Sequence, residues 1–179
     1  MMRFETVLLL TSIGIDSVSA ARFFIEEEQG IEYSCAYLVF NKTPLTHPKY
    51  LELLELLSQR LGVRYFITEP TGYAYRPPTC RNAWKINPLK HLIERFCKPV
   101  LLVTGQKRID SPVRSKLGKF GKWFVNGVYV YRPIYEWIST WNYAVEILPE
   151  AKPIWKEIKS KHGHTSLDCV PCLRKVAER

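Results

Sequence analysis

Two hydrophobic periods alternate along this chain. Residues 7–10, Val-Leu-Leu-Leu, form an unbroken apolar run, the pattern of a strand buried on both faces as in a parallel sheet. A short polar turn with one glycine follows. Val18, Ala21, Phe24 and Ile25 then recur at helical spacing, predicting a helix from Asp16 or Ser17 to about Gln29, ended by Gly30. Residues 33–40 read as a second buried strand, with Cys35 as one of its core residues. After an Asn-Lys-Thr-Pro loop, Thr46 offers an N-cap with Pro48 in the first turn. Tyr50, Leu53, Leu54, Leu57 and Leu61 line one face of that helix, and Gly62 closes it. Residues 63–68 are a third strand. Strand–helix–strand–helix–strand predicts right-handed crossovers and a parallel sheet.

The second half is less regular. Residues 70–79, rich in Pro, Gly and Tyr, read as a loop lying over the strand ends. Residues 84–96 read as a helix, 100–104 as a fourth strand and 105–122 as a basic stretch. Residues 123–131 contain Asn126-Gly127, the strongest two-residue hairpin signal. Residues 135–147 suit an aromatic-rich helix. The expected fold is thus α/β, a doubly wound, mostly parallel sheet of about five strands over residues 1–148. A basic, cysteine-bearing tail, residues 149–179, packs on the same domain. His47 and His91 fall in helical patterns and are expected at the surface.

Composition narrows the setting. With 46% hydrophobic residues and only 9 glycines among 179, the chain is a folded domain rather than a disordered one. A net charge of +9, from 26 Lys and Arg against 17 Asp and Glu, favours anionic partners without choosing between nucleotide, nucleic acid and acidic protein. Five irregularly spaced cysteines and no signal-peptide pattern predict a reducing compartment, and the protein is expected in the cytoplasm. No apolar run reaches membrane-spanning length.

Two segments carry candidate chemistry. Ser12-x-Gly14-x-Asp16-Ser17 joins the first strand to a helix N-terminus, where free backbone N–H groups and the helix dipole favour an anion such as phosphate. By itself so short a motif also describes an ordinary capped turn. The second segment follows the fourth strand. Gly105 permits close backbone approach, Lys107, Arg108 and Arg114 supply charge-assisted bonds, and Asp110 and Ser111 add an acid and a hydroxyl. A solvated basic loop is the alternative. Ligands of open parallel sheets sit at the carboxyl ends of the strands, near the switch in strand order, which would bring both segments to one rim.

The first motif resembles the pyrophosphate-binding loop of the adenine-nucleotide alpha-hydrolase superfamily, usually Ser-Gly-Gly-x-Asp-Ser, with Ile13 in place of its first glycine. The second resembles the Gly-x-Arg-x-x-Glu-Ser-x-x-Arg signature of phosphoadenosine phosphosulfate (PAPS) reductases. Gly105, Lys107, Asp110, Ser111 and Arg114 fall on its positions. Cys80 with Lys85-Ile86-x-Pro88-Leu89, then Arg132-Pro133-Ile134-Tyr135-Glu136-Trp137, then residues 166–172 ending in Cys169-x-x-Cys172, are similar to further family segments in the same order. The resemblance implies a nucleotide-binding enzyme whose ligand is ATP, adenosine phosphosulfate (APS) or PAPS. Ser12, Gly14, Asp16 and Ser17 would hold the phosphate or sulfate end, neutralised by Lys107, Arg108 and Arg114. Asp16 could help hold Mg²⁺ if the ligand is ATP.

The cysteines leave alternatives open. Iron–sulfur members of the family use an adjacent Cys pair plus Cys-x-x-Cys. Here Cys80, Cys169 and Cys172 match while Arg81 stands at the remaining position, so an iron–sulfur cluster lacks one thiolate. Cys97, His162 or His164 could complete it or the fourth iron could stay open, zinc held by the three thiolates and a His is also chemically reasonable, and free or disulfide-bonded thiols are the bland alternative. The family's C-terminal Glu-Cys-Gly-x-His is absent, so either Cys172 attacks or the chemistry differs. Asp16, Lys107 and Cys172 are the candidate catalytic residues. Three functions follow: a sulfonucleotide reductase-like enzyme, an ATP pyrophosphatase that adenylates a substrate such as RNA for thiolation, or a basic nucleic-acid-binding module in which Trp123, Tyr129, Tyr131 and Arg132 stack on bases. Partners beyond the nucleotide are RNA or a thiol-carrier protein, and a homo-oligomer is compatible with the sequence.

Overall fold

The structure is a computed structural model that describes residues 3–72 and 79–170. Its elements are β1 (Arg3–Thr11), α1 (Ile15–Glu26), β2 (Glu32–Asn41), α2 (Tyr50–Leu61), β3 (Arg64–Thr68) and α3 (Thr79–Arg81). The last continues through a π-helical segment (Asn82–Ile86) into α4 (Asn87–Ile93). Then come β4 (Val100–Val103), β5 (Phe120–Lys122), β6 (Val128–Tyr131), α5 (Trp141–Ile147) and α6 (Lys152–His162). The sheet has six strands in the order β3-β2-β1-β4-β6-β5, parallel except for the β5–β6 pair. From β1 the chain winds outward to β3, then returns to place β4 on the other side of β1. The strand order therefore reverses between β1 and β4, which opens a crevice at their carboxyl ends.

The apolar run of β1 is buried on both faces because its alternate side chains enter different layers. Val7 and Leu9 join Leu38, Phe40, Leu101 and Val103 under α1, α2, α5 and α6. Leu8 joins Val39, Leu102, Val128 and Val130 under α4, through Leu89, Leu92 and Ile93. This is the doubly wound α/β architecture, with one strand more than expected. Residues 149–170 meet the sheet domain through α6, whose fully buried Trp155 stacks edge-on with Trp141 at 6.3 Å. Among the described residues no helix is long and apolar enough to cross a membrane.

Several local expectations are corrected. α1 begins at Ile15, with Gly14 rather than a Ser or Asp side chain at its N-cap. Thr46 does not cap α2, which starts at Tyr50; its hydroxyl instead accepts the Thr43 N–H at 2.8 Å and closes the preceding turn, where half-buried His47 also sits. The helix expected at 84–96 starts five residues earlier and stops at Ile93. The hairpin uses β5 and β6, so its first strand ends before Trp123 while Asn126-Gly127 stays in the turn. Residues 135–140 are not helical: Tyr135 and Trp137 are held by backbone turns to Arg132 and Ile134, and α5 starts only at Trp141. Pro149 and Pro153 are tolerated at helix starts, so the tail contains the unforeseen α6. Cys35 is half-buried rather than core, because its side chain donates toward the exposed Glu5 backbone. The loop over the strand ends falls largely on residues 73–78, outside the described residues.

At the far end from the crevice, Arg60 of α2 donates to both carboxylate oxygens of Glu150, at 2.5 and 2.6 Å. These bonds hold the Glu150 carboxyl at about 2, against an ordinary 4.5. A depressed carboxyl stabilises the fold above its unfolded value and loses that contribution as pH falls through the folded one. Both partners are more than a third solvent-exposed or close to it, so screening keeps the effect small. Arg60→Gln is expected to flatten the fall in urea-unfolding free energy between pH 4.5 and 2, leaving neutral stability within about 1 kcal/mol. An unchanged acid limb in the variant contradicts the assignment.

Candidate functional site

The turn after β1 is built from short side chains. Ser17 Oγ donates to the Gly14 carbonyl at 2.9 Å and accepts the Ser12 N–H at 3.1 Å, closing the loop from inside. Ile13 adopts a left-handed conformation, φ +52°, where a β-branched residue is strained. What holds it there is burial. Its side chain is fully enclosed in the core, its N–H donates to Thr11 Oγ1 at 3.0 Å, and its carbonyl accepts the Trp155 indole N–H at 2.7 Å. The chain therefore keeps, with isoleucine, the backbone geometry that glycine adopts freely.

The segment after β4 reaches the same rim. Gly105 lies directly on the first turn of α1: a Cβ there would fall 2.5 Å from the Asp16 carbonyl atoms and 2.6 Å from the Ser17 nitrogen, all rigid backbone. Only glycine permits this approach. It lets Lys107, nearly buried, place Nζ 2.9 Å from Asp16 Oδ1, which also accepts the Thr140 hydroxyl. Asp110 accepts the Lys107 N–H at 2.9 Å and pairs with Arg114 at 2.7 Å, so the basic segment is folded around its own acid. Tyr135 ties that fold to the strand layer, donating to the Arg114 carbonyl at 2.9 Å.

A third segment, absent from the expected site, closes the rim. Gly163 ends α6 in a left-handed turn, and residues 165–170 cross the β1 loop. Thr165 Oγ1 accepts the Ile15 N–H at 3.2 Å, Ser12 Oγ donates to Ser166 Oγ at 3.1 Å, and Leu167 N–H donates to the Ser12 carbonyl at 2.8 Å. Asp168 is buried and pairs with Lys85 at 2.6 Å, and its backbone carbonyl accepts from Thr46 at 3.1 Å and from Thr43. Residues 163–168, Gly-His-Thr-Ser-Leu-Asp, carried the signal: a helix stop followed by two hydroxyls and an acid.

Between the three segments lies a polar cavity of about 260 Å³. Ser12, Gly14, Asp16, Ser17, Gly105, Asp110 and Arg114 line it, as do Asn41, Gln106, Thr165, Ser166 and Asp168, which sequence reasoning did not single out. Lys107 stands behind Asp16. Two expected members are elsewhere: Arg108 is mostly exposed and faces Glu136 at 3.5 Å, and Ser111 accepts the Arg114 N–H at 3.2 Å. Arg132 is buried beside the cavity. Burial holds its guanidinium below arginine's ordinary range; Tyr135 opposes that shift and Arg114 adds to it.

Among the described residues no cysteine lines this cavity. Cys80 is half-buried and Cys169 buried, and Cys172 lies outside the described residues. Among the described residues no three His, Cys, Asp or Glu side chains gather as metal ligands.

With this geometry in place, the family profile described as "Phosphoadenosine phosphosulfate reductase domain" matches residues 6–175. No curated protein matches the sequence. Among solved structures, the chain is similar to the phosphoadenylyl-sulfate (PAPS) reductase of Candida auris in a phosphate complex, with TM-score 0.54, 13% identity and coverage of 82% of this chain and 72% of that one. It is also similar to the U34-tRNA thiolase of Methanococcus maripaludis with its [4Fe-4S] cluster, with TM-score 0.53, 15% identity and coverage of 88% and 66%. A third similar structure is the FMN adenylyltransferase of Candida glabrata with FMN and an ATP analogue, with TM-score 0.50, 13% identity and coverage of 74% and 44%. At such identities the likeness is one of fold.

Gly105→Ala forces backbone apart from backbone and is expected to lower unfolding free energy by about 2 kcal/mol or more, read by urea titration. A variant as stable as the parent means that the two turns do not touch. For Ile13→Gly, relief of left-handed strain, about 1–2 kcal/mol, opposes loss of a buried side chain, about 2–5 kcal/mol. Net destabilisation is expected, and a stabilised variant would show strain to be the larger effect.

Proposed function

The chain belongs to the phosphoadenosine phosphosulfate reductase domain family, within the adenine nucleotide alpha-hydrolase superfamily, and from that premise we propose that it is an enzyme that grips the anionic end of an adenine nucleotide in the β1–β4 crevice. The observation that carries this reading is the contact of Gly105 with the Asp16–Ser17 backbone, which sets a lysine and an arginine around a helix N-terminus. Oriented N–H groups and cations fixed before the ligand arrives stabilise charge without reorganising. Ser12, Gly14 and Ser17 contribute the turn, Lys107 and Arg114 the positive charge, and Asp110 the scaffold that holds Arg114. Asp16 holds Lys107 in place.

For a sulfonucleotide, APS or PAPS, the reaction is transfer of the sulfo group. A thiolate, assigned to Cys172, attacks sulfur and breaks the sulfur–oxygen bond to the nucleotide phosphate, leaving a thiosulfonate. A second thiol, from a carrier protein, then releases sulfite as a disulfide forms. The second reading is an ATP pyrophosphatase that adenylates a substrate for sulfur transfer. It is favoured by Asp16, a hard oxygen donor that lines the cavity at the first turn of α1 and suits a magnesium nucleotide. Asp16 would hold that Mg²⁺, which supplies charge neutralisation at the phosphates. RNA is one candidate substrate there, since a tRNA thiolase shares the fold.

Isothermal titration with APS, PAPS and ATP plus Mg²⁺ tests the reading. Tight binding of one ligand is expected, weakened about ten- to a hundredfold by Lys107→Ala, the size of a lost charge-assisted hydrogen bond. Asp16→Ala is expected to weaken magnesium ATP far more than a metal-free sulfonucleotide. Sulfite release in the presence of a dithiol identifies the first chemistry and pyrophosphate release the second. Failure of all three nucleotides to bind would refute the proposal.

A further inference from the structure

Arg132 follows β6 directly and only 7% of it is exposed. Its Nε donates to Gln106 Oε1 at 2.9 Å and its Nη1 to the Gly118 carbonyl at 3.1 Å. Both acceptors are neutral. Among the described residues no carboxylate pairs with it, and Arg114, which lines the cavity, acts on it as a like charge. A buried cation with neutral acceptors alone is an unfavourable arrangement that an arriving anion relieves.

The partner is equally constrained. A guanidinium can only donate, so Gln106 must turn its amide oxygen toward Arg132, and the usual ambiguity between amide oxygen and nitrogen is settled by chemistry. Its NH₂ group is the end that remains, it has no acceptor among the described residues, and Gln106 lines the cavity. The sequence offers no hint of this, because Gln106 and Arg132 lie 26 positions apart.

We infer that Gln106 is a ligand-contacting donor, aimed into the cavity by the positioning residue Arg132, and that the pair selects an acceptor-only oxygen of a phosphoryl or sulfuryl group. The inference rests on the reading of this cavity as an anion site. It adds a contact made by a neutral amide to the positive charge supplied by Lys107 and Arg114. Because the amide offers only N–H, a carboxylate in its place meets the ligand with like charge.

The test uses inorganic pyrophosphate as the probe, with APS and magnesium ATP alongside, titrated into the full chain. Gln106→Glu keeps the shape and gives Arg132 a charged acceptor, so the melting temperature is expected to hold or rise. Affinity for pyrophosphate is expected to fall at least about tenfold. Arg132→Lys keeps the charge but loses the Nε donor that fixes the amide. It is expected to weaken pyrophosphate several-fold, and adding Gln106→Glu to it is expected to cost less than Gln106→Glu does alone. Gln106→Glu binding pyrophosphate like the parent overturns the contact. Fully additive effects overturn the positioning role of Arg132. Binding of pyrophosphate that depends on Gln106, with no adenine nucleotide bound, leaves this inference standing and removes the nucleotide reading. A parent chain that binds none of the three probes removes both.

Discussion

One steric constraint organises this molecule: backbone against backbone where Gly105 meets the first turn of α1. Strand order alone brings β1 and β4 side by side, but it does not decide how near their following loops come. With no side chain at Gly105 the two loops share a van der Waals surface. The Lys107 ammonium then reaches the Asp16 carboxylate at 2.9 Å instead of solvent. The ion pair is a consequence of that approach. A partly buried pair of this kind adds little net stability, since desolvation offsets most of the attraction; its value is in fixing where the charges stand.

The β1 loop is held by different means from those its sequence suggests. A turn with glycine at residue 13 would be unstrained and loose. With isoleucine it is strained, and the strain persists because the Ile13 side chain is locked in the core and its carbonyl is held by Trp155 of α6. Residues 165–170 then lie across the loop, with Thr165 taking the Ile15 N–H and Ser12 joined to both Ser166 and Leu167. The tail is thereby structural for the site as well as a wall of it. The loop, the helix behind it and the strap in front act as one unit, and coupling between them follows from shared hydrogen bonds.

Charge is distributed in the same spirit. Around the cavity each of three carboxylates has a cation of its own: Asp16 with Lys107, Asp110 with Arg114 and Asp168 with Lys85. Arg132 is matched, among the described residues, by neutral oxygens, so positive charge without a carboxylate partner sits behind Gln106. The chain's overall excess of Lys and Arg does not produce this; many of those residues, Arg108 among them, are on the open surface. A local field of a few fixed, partly desolvated groups matters more at the crevice than net charge does.

The sequence by itself determined the α/β class and the parallel strands of the first half. These follow from hydrophobic period, which reports burial of whole elements and is local. It also marked the two turns at the carboxyl ends, since Gly14 with Asp16 and Gly105 with Lys107 and Arg114 are legible as residue types. Only the tertiary structure decided what lies between distant segments. It supplied the strap of Thr165, Ser166 and Asp168, the left-handed Ile13 braced by a tryptophan 142 positions away, and the buried Arg132 that turns Gln106. It also shortened α5 and moved the hairpin, because residues 132–137 are pinned to the basic segment by Tyr135 rather than left to their helical preference. The physical reason is common to all of these: contacts across long sequence separations leave no periodic trace, and they outweigh local propensity wherever they satisfy a buried polar group.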